Sequence, residues 1–247
     1  VHKKNQNFSK SKKASVINGE FLLRDIKAFR EFCQHYPESI REVEAGSEWM
    51  SEVQQLTAGF STKIVEARSD DYFAANVWLE CFEVKANALI GNENTLILDR
   101  VVDPQNFGAI IRTASFFGFN RIVIGKDHQA LLSDSVVRVS RGGLAKVRIF
   151  VVPNLGRAIE VLKEQGHWVV GGALDGAPIG SGSVQPGSDV ALVVGSEEKG
   201  IRPGIVAKCD ETILISSKSG EVGLESLNVS VAAGILCAYY KGVLSKK

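Results

Sequence analysis

Six short runs of Val, Ile and Leu, at residues 95–101, 121–124, 148–152, 167–173, 190–195 and 211–215, alternate with helix-compatible stretches and constrain this chain more than any other feature. A strand in which nearly every position is apolar must keep both faces out of water. That happens where helices cover both sides of a parallel sheet. The expectation is therefore an α/β architecture built on a parallel sheet. A last helix starts near Asn228 and carries Val231, Ile235 and Tyr239, with Ala232 and Leu236 beside them, a wide apolar stripe that must face core or partner.

The first ninety residues read differently. From Gly19 the pattern turns helical, with Leu22, Ile26, Phe29 and Cys33 three or four apart. Stretches rich in β-branched or aromatic residues follow at 39–43, 63–65 and 77–84, so residues 16–90 form a small α/β unit. Gly91-Asn92-Glu93-Asn94 is the natural boundary, and residues 95–247 form the second unit. Residues 1–15, with Lys3, Lys4, Lys10, Lys12 and Lys13 among polar neighbours, hold too little apolar surface to fold and form a mobile basic tail. Such a tail is either simply solvated or an arm that adheres to RNA through counterion release.

Composition excludes several classes. With 45% apolar and 23% charged residues and no apolar run long enough for a bilayer, a membrane role is not expected. Cys33, Cys81, Cys209 and Cys237 are far apart and lack CxxC spacing, so neither secretion nor a zinc site is indicated. No apolar signal segment opens the sequence, and the expectation is a cytoplasmic protein. A net charge of +1 offers no bulk attraction for nucleic acid, so a binder would have to gather its cations on one face.

In a parallel sheet, ligands sit outside the carboxyl ends of the strands, which directs attention to the loops. Three stand out. The first is Asp103-Pro104-Gln105-Asn106-Phe107-Gly108-Ala109-Ile110-Ile111-Arg112-Thr113-Ala114, a polar turn entering a helix. Here Asn106 is either a helix cap or a site residue, Arg112 either a solvated cation or a ligand for substrate, and Gly108 permits close backbone packing. The second is Gly195-Ser196-Glu197-Glu198-Lys199-Gly200-Ile201, where a buried strand ends in two glycines bracketing an acidic turn. It is neither a Walker loop nor a dinucleotide fingerprint, since Lys199 is followed by Gly and no third glycine falls in place. The third is Ser226-Leu227-Asn228-Val229-Ser230-Val231-Ala232, in which Ser226 and Asn228 either cap the last helix or serve a site.

In this order, the three segments resemble the signature motifs of the SpoU/TrmH family of the SPOUT superfamily, RNA 2′-O-ribose methyltransferases. The resemblance covers about residues 95–240. It implies a catalytic domain with a deep trefoil knot, an exception to the rule that chains do not thread loops, together with a homodimer and S-adenosylmethionine as cofactor. By the family's pattern Gly195, Gly200, Ile201, Ile215 and Leu227 line the cofactor pocket, with Ala173 and Leu174 at the end of the preceding strand. Asn106, Arg112, Glu197, Ser226 and Asn228 fall on active-site positions, with Arg112 reaching the partner's site. The first unit is similar to the ribosomal-protein-L30e-like RNA-binding domain that precedes the knot in many relatives. Two departures stand in the sequence: no His-Gln-Gly segment lies near the junction, and Ser216 stands where relatives place a proline, before a longer Ser/Gly-rich loop.

What the resemblance implies in function is methyl transfer to a ribose 2′-hydroxyl in structured ribosomal or transfer RNA, with neither metal nor covalent intermediate. The rivals are a catalytically silent RNA-binding relative, an enzyme that methylates a base instead, and a nicotinamide-dependent oxidoreductase. The last requires a glycine fingerprint after a first strand and an acidic residue about twenty positions on, which the sequence lacks.

Overall fold

The computed structural model describes residues 18–186, 188–217 and 226–243; the lysine-rich residues 1–15 lie outside them. Alternation sets the first element. Phe21 and Leu23 are buried and their neighbours Glu20 and Leu22 less so, a period of two that makes Asn18–Leu23 a strand, β1, rather than the start of a helix. The helix expected from Gly19 begins only at Ile26. There the Asp25 side chain accepts from the Lys27 N–H, and α1 (Ile26–His35) buries Ala28, Phe29, Phe32 and Cys33. The chain continues through β2 (Ile40–Ala45), α2 (Ser47–Leu56), β3 (Lys63–Glu66) and β4 (Phe73–Glu80). These strands form a four-stranded sheet in the order β1-β4-β2-β3, with β4 antiparallel to both neighbours.

The single strand expected over 77–84 is two. After β4 the buried Cys81 turns the chain, and β5 (Phe82–Glu83) pairs with the other sheet. The handover between sheets thus precedes Gly91–Asn94, and that stretch is pinned. The guanidinium of Arg121, 2% exposed, donates to the carbonyls of Ile90 (2.9 Å) and Gly91 (3.1 Å). Asn94 donates to Asp189 and accepts from the Val190 N–H.

The second sheet follows as β6 (Thr95–Asp99), α3 (Pro104–Phe116), β7 (Arg121–Gly125), α4 (Asp134–Ser140), β8 (Arg148–Val152), α5 (Leu155–Glu164), β9 (Trp168–Pro178), β10 (Val190–Gly195), α6 (Pro203–Val206), β11 (Glu211–Leu214) and α7 (Val229–Tyr240). Its order is β11-β9-β10-β6-β7-β8-β5 and every pairing is parallel. The apolar runs divide by parity. Leu96, Leu98, Ile122, Ile124, Leu192 and Val194 join the core beneath α3, α4 and α7. Ile97, Val123, Ala191 and Val193 join a second core with Leu155, Ile159, Leu162 and Ile205. Each fully buried side chain of this size contributes about 1.5–3 kcal/mol relative to exposure, which is why unbroken apolar runs select a sheet covered on both faces.

The last helix shows a face that periodicity did not select. Val229, Ala233, Leu236, Cys237 and Tyr240 are buried against the core, whereas Val231, counted in the expected stripe, is 50% exposed. A helix apolar on every side carries no amphipathic signal to choose between faces. No helix among the described residues is long and apolar enough to cross a membrane.

Candidate active site

At the carboxyl end of β6, Asp103 caps α3 by accepting from the Gln105 N–H at 3.0 Å, and Pro104 occupies the first helical position, where no N–H is needed. Asn106 is therefore the third residue of the helix and not its cap. Its side chain is free to reach across the sheet edge. Gly108, two residues on, lies where a Cβ would come within 2.8 Å of the Val139 Cβ and 3.0 Å of the Val136 carbonyl, so α3 and α4 pack backbone to backbone there.

After β10, Ser196 and Gly200 exchange backbone hydrogen bonds of 3.1 and 2.9 Å and close a loop with Glu197 at its tip. Both glycines have backbone reasons. Gly200 sits at φ +62, and a Cβ on Gly195 would overlap the backbone of Gly200 and Ile201. Beyond the loop, the backbone N–H and Nε of Arg202 donate to Asp99 at 2.9 and 2.8 Å, and Asp99 is fully buried at the end of β6. This charge-assisted pair fixes the second loop against the first. Sequence reasoning missed it; the signal was a carboxylate directly after the apolar run Leu96-Ile97-Leu98.

The third segment enters α7, where Asn228 is the cap, accepting from the N–H of Ser230 at 2.9 Å and from its hydroxyl at 2.6 Å. Its amide N–H also donates to the Asn106 side-chain oxygen at 3.0 Å, and the Asn106 amide in turn donates to a Glu197 carboxylate oxygen. One polar chain, Ser230 to Asn228 to Asn106 to Glu197, joins segments 91 and 122 positions apart in sequence. The capping reading of Asn228 holds, and the cap leaves its amide group available to Asn106. An asparagine uses its oxygen for the helix and keeps its NH2 for the neighbour. Ser226 is exposed, two residues before the cap.

Arg112 is not part of this chain. Six positions from Asn106 on one helix, it points about 120° round the axis and about 9 Å along it. It lines a cleft of about 480 Å³ with Glu31, Phe116, Arg141, Gly143 and Lys146. No ion pair engages its guanidinium among the described residues. Of the expected cofactor residues, Gly195 closes β10 and Ile215 follows β11, whereas Ala173 and Leu174, expected at the end of a strand, fall inside β9, just past its last pairing with β10 at Gly171. The β9–β11 register jumps from Gly171↔Thr212 to Ala177↔Ile213, so residues 172–176, holding Ala173 and Leu174, find no register partner there. Leu174 and Leu227 are 63% and 41% exposed, and Ile215 is half-buried; Gly200 is exposed while Ile201 is buried. Among the described residues, no group of three or more His, Cys, Asp or Glu is placed to hold a metal ion.

The fold and the three-loop polar cluster define an α/β protein with its candidate site at the carboxyl edge of a parallel sheet, built by segments entering α3, leaving β10 and entering α7. The model of the SpoU rRNA Methylase family matches residues 93–238, and the chain belongs to that family. It is 44% identical over 140 residues, 57% of its length and 52% of the relative's, to a 23S rRNA (guanosine-2′-O-)-methyltransferase RlmB of Nitrosomonas europaea. It is 37% identical over 158 residues to an uncharacterized tRNA/rRNA methyltransferase of Borreliella burgdorferi, with 64% of this chain and 65% of that protein covered. The chain thus spans between half and two thirds of the length of these relatives. In structure it is similar to the SpoU methyltransferase AviRb from Streptomyces viridochromogenes in complex with AdoMet, with a TM-score of 0.72 and 22% identity over 91% of this chain and 90% of that one. That likeness speaks to the fold.

Proposed function

We propose that the protein transfers a methyl group from S-adenosylmethionine to a ribose 2′-hydroxyl of structured RNA, ribosomal RNA foremost. The observation that carries this reading is the hydrogen-bonded chain Asn228–Asn106–Glu197, which draws the three family segments to one point. The residues fit the cofactor. Leu174, Leu227 and Ile215 offer apolar flanks for an adenine, and the bulged backbone of residues 172–176 offers polar groups outside the ladders. Ala173, Leu174, Gly195, Gly200, Ile201, Ile215 and Leu227 are the residues proposed to hold it. When bound, it supplies a methyl on a sulfonium for in-line displacement.

The chain's own residues align the acceptor and stabilise the oxygen as its proton leaves. Glu197 polarises the Asn106 amide and Asn228 orients it, so that these groups and Ser226 hold the loop and the ribose. A guanidinium is a poor base, so Arg112 is not assigned the proton. Its role is to grip a phosphate beside the target and favour the alkoxide, the proton passing to phosphate or water.

A homodimer belongs to the same reading. Arg112 faces away from its own chain's polar cluster, and α7, apolar on all sides, leaves Val231 half exposed; both are accounted for if a second copy packs on α7 and receives Arg112. The division into an L30e-like unit over 16–90 and a knotted domain over 95–247 is likewise proposed, as is a cytoplasmic place of action. The four-stranded sheet with its two helices supports the first unit.

The test is incubation with methyl-labelled cofactor and total RNA from cells lacking the modification, followed by digestion to nucleosides. Label in a 2′-O-methylnucleoside is the expected result. Label on a base moves the acceptor, and the absence of both transfer and calorimetric heat with S-adenosylmethionine leaves a silent RNA-binding relative.

A further inference from the structure

The Arg112 cleft holds a feature that neither the core nor the polar cluster uses. Phe116 is 81% exposed, more than any other large apolar side chain among the described residues. It stands four positions after Arg112, so the ring and the guanidinium share one face of α3, one turn apart. Behind it, the half-buried Phe117 meets it edge-on, with ring centroids 5.0 Å apart and planes at 90°, which backs the exposed ring.

Two more cations line the same cleft. Arg141 ends α4 in a left-handed backbone conformation, φ +51, and the turn that follows lies directly on α3: a Cβ on Gly143 would be 3.1 Å from the Arg112 Cα. Arg141 pairs with Asp25 at 2.5 Å and Lys146 with Glu31 at 2.7 Å, both acids coming from α1 and its cap. Arg141 is 60% exposed while Asp25, Lys146 and Glu31 are partly buried at 29%, 35% and 37%; a pair with one partner so open to solvent contributes little, so a phosphate oxygen can compete with Asp25 for the open side of Arg141 and approach Lys146 beside Glu31. Arg112, which no ion pair engages among the described residues, adds a third positive charge to the cleft.

We infer that this cleft is a second RNA subsite, in which Phe116 stacks on an unpaired base next to the target nucleotide while Arg141 and Lys146 take the phosphates that flank it. The inference rests on the proposed RNA activity and adds positioning residues to it. A cationic wall alone would suit any polyanion, and an aromatic ring alone would suit a protein. Their combination on one helix face is what single-stranded nucleic acid requires, since every base offers a π-face and every linkage a charge.

The experiment measures binding of total ribosomal RNA and total transfer RNA across a salt series, with sedimentation, for wild type, Phe116→Ala, Phe116→Trp and Arg141→Gln. Phe116→Ala is expected to weaken RNA binding about tenfold and to raise KM more than it lowers kcat. Phe116→Trp should restore affinity and show RNA-dependent fluorescence quenching beyond that of wild type. Arg141→Gln should lower the slope of log affinity against log salt by about 1. S-adenosylmethionine affinity should stay unchanged in all three. Equal RNA affinity for wild type and Phe116→Ala overturns the subsite and leaves the proposed activity standing. Dissociation of Phe116→Ala into monomers also overturns it, because the ring then belongs to a subunit contact. A wild type that binds RNA but transfers no methyl overturns the activity while the stacking result is still read.

Discussion

Single residues here are placed by what burial does to their polar atoms. The four thiols are an example: burial pushes Cys33 and Cys209 up to about 11 and Cys81 and Cys237 up to about 12, because a thiolate in an apolar interior lacks solvation. The folded protein therefore favours the neutral thiol more than the unfolded chain does. The stability this contributes is fully present below the unfolded value near 9 and is lost as pH rises toward 11 and 12. Denaturant titrations at pH 8 and pH 10 should show a fall of about 1 kcal/mol for each of Cys81 and Cys237. A variant carrying Cys81→Ala and Cys237→Ala should start less stable but lose less between the two pH values; an unchanged pH slope would falsify the assignment. Asn228 shows the converse economy, since one amide both caps a helix and orders Asn106.

Elements are set by where backbones can touch. At Gly108 the first site helix approaches α4 so closely that any β-carbon must displace Val139 or the Val136 carbonyl. Gly108→Ala is expected to cost about 1–3 kcal/mol, the range for overpacking a well-fitted contact. Because the same helix holds Asn106 at its third residue, methyl transfer should fall further than the shift in Tm accounts for. Thermal unfolding and turnover measured below the transition check this, and an undiminished Tm would show that α3 and α4 have room to part. The buried Arg121 plays a comparable part for the stretch before β6. Burial holds its guanidinium below the usual arginine value, and its two carbonyl partners tie residues 90 and 91 to β7.

At the scale of the whole molecule, the polar cluster and Arg112 lie on different sides of α3, and the proposed dimer unites them across two chains. This makes a mixing experiment decisive. Arg112→Ala and Asn106→Ala should each keep S-adenosylmethionine affinity within a few-fold yet lose most turnover, since their interactions strengthen mainly in the transition state. Co-refolded in equal amounts, they should regain a fraction of wild-type turnover, because a mixed dimer holds one site with both groups intact. Failure of the mixture to exceed its components would place Arg112 and Asn106 in the service of the same chain.

Much of this was legible along the chain, and the reason differs by feature. The parallel sheet showed itself because burial on both faces leaves an unbroken apolar run, and β8 and β10 have the bounds those runs describe. The three site segments were legible as ordered motifs, and Gly195 and Gly200 as turn residues. Where a segment is apolar all round, as in α7, or short and aromatic, as over residues 77–84, period says nothing of which face or sheet receives it; packing chose Val229, Ala233 and Tyr240 for the core and sent Phe82 to a different sheet from Val77. The sequence alone determined which residue types stand ready at the strand ends. That Asp103 rather than Asn106 caps α3 is a local matter of where the helix starts, but that Asn106 meets both Glu197 and Asn228 was decided by tertiary structure, because hydrogen-bond partners 91 and 122 positions apart are brought within reach only by the order of strands in the sheet.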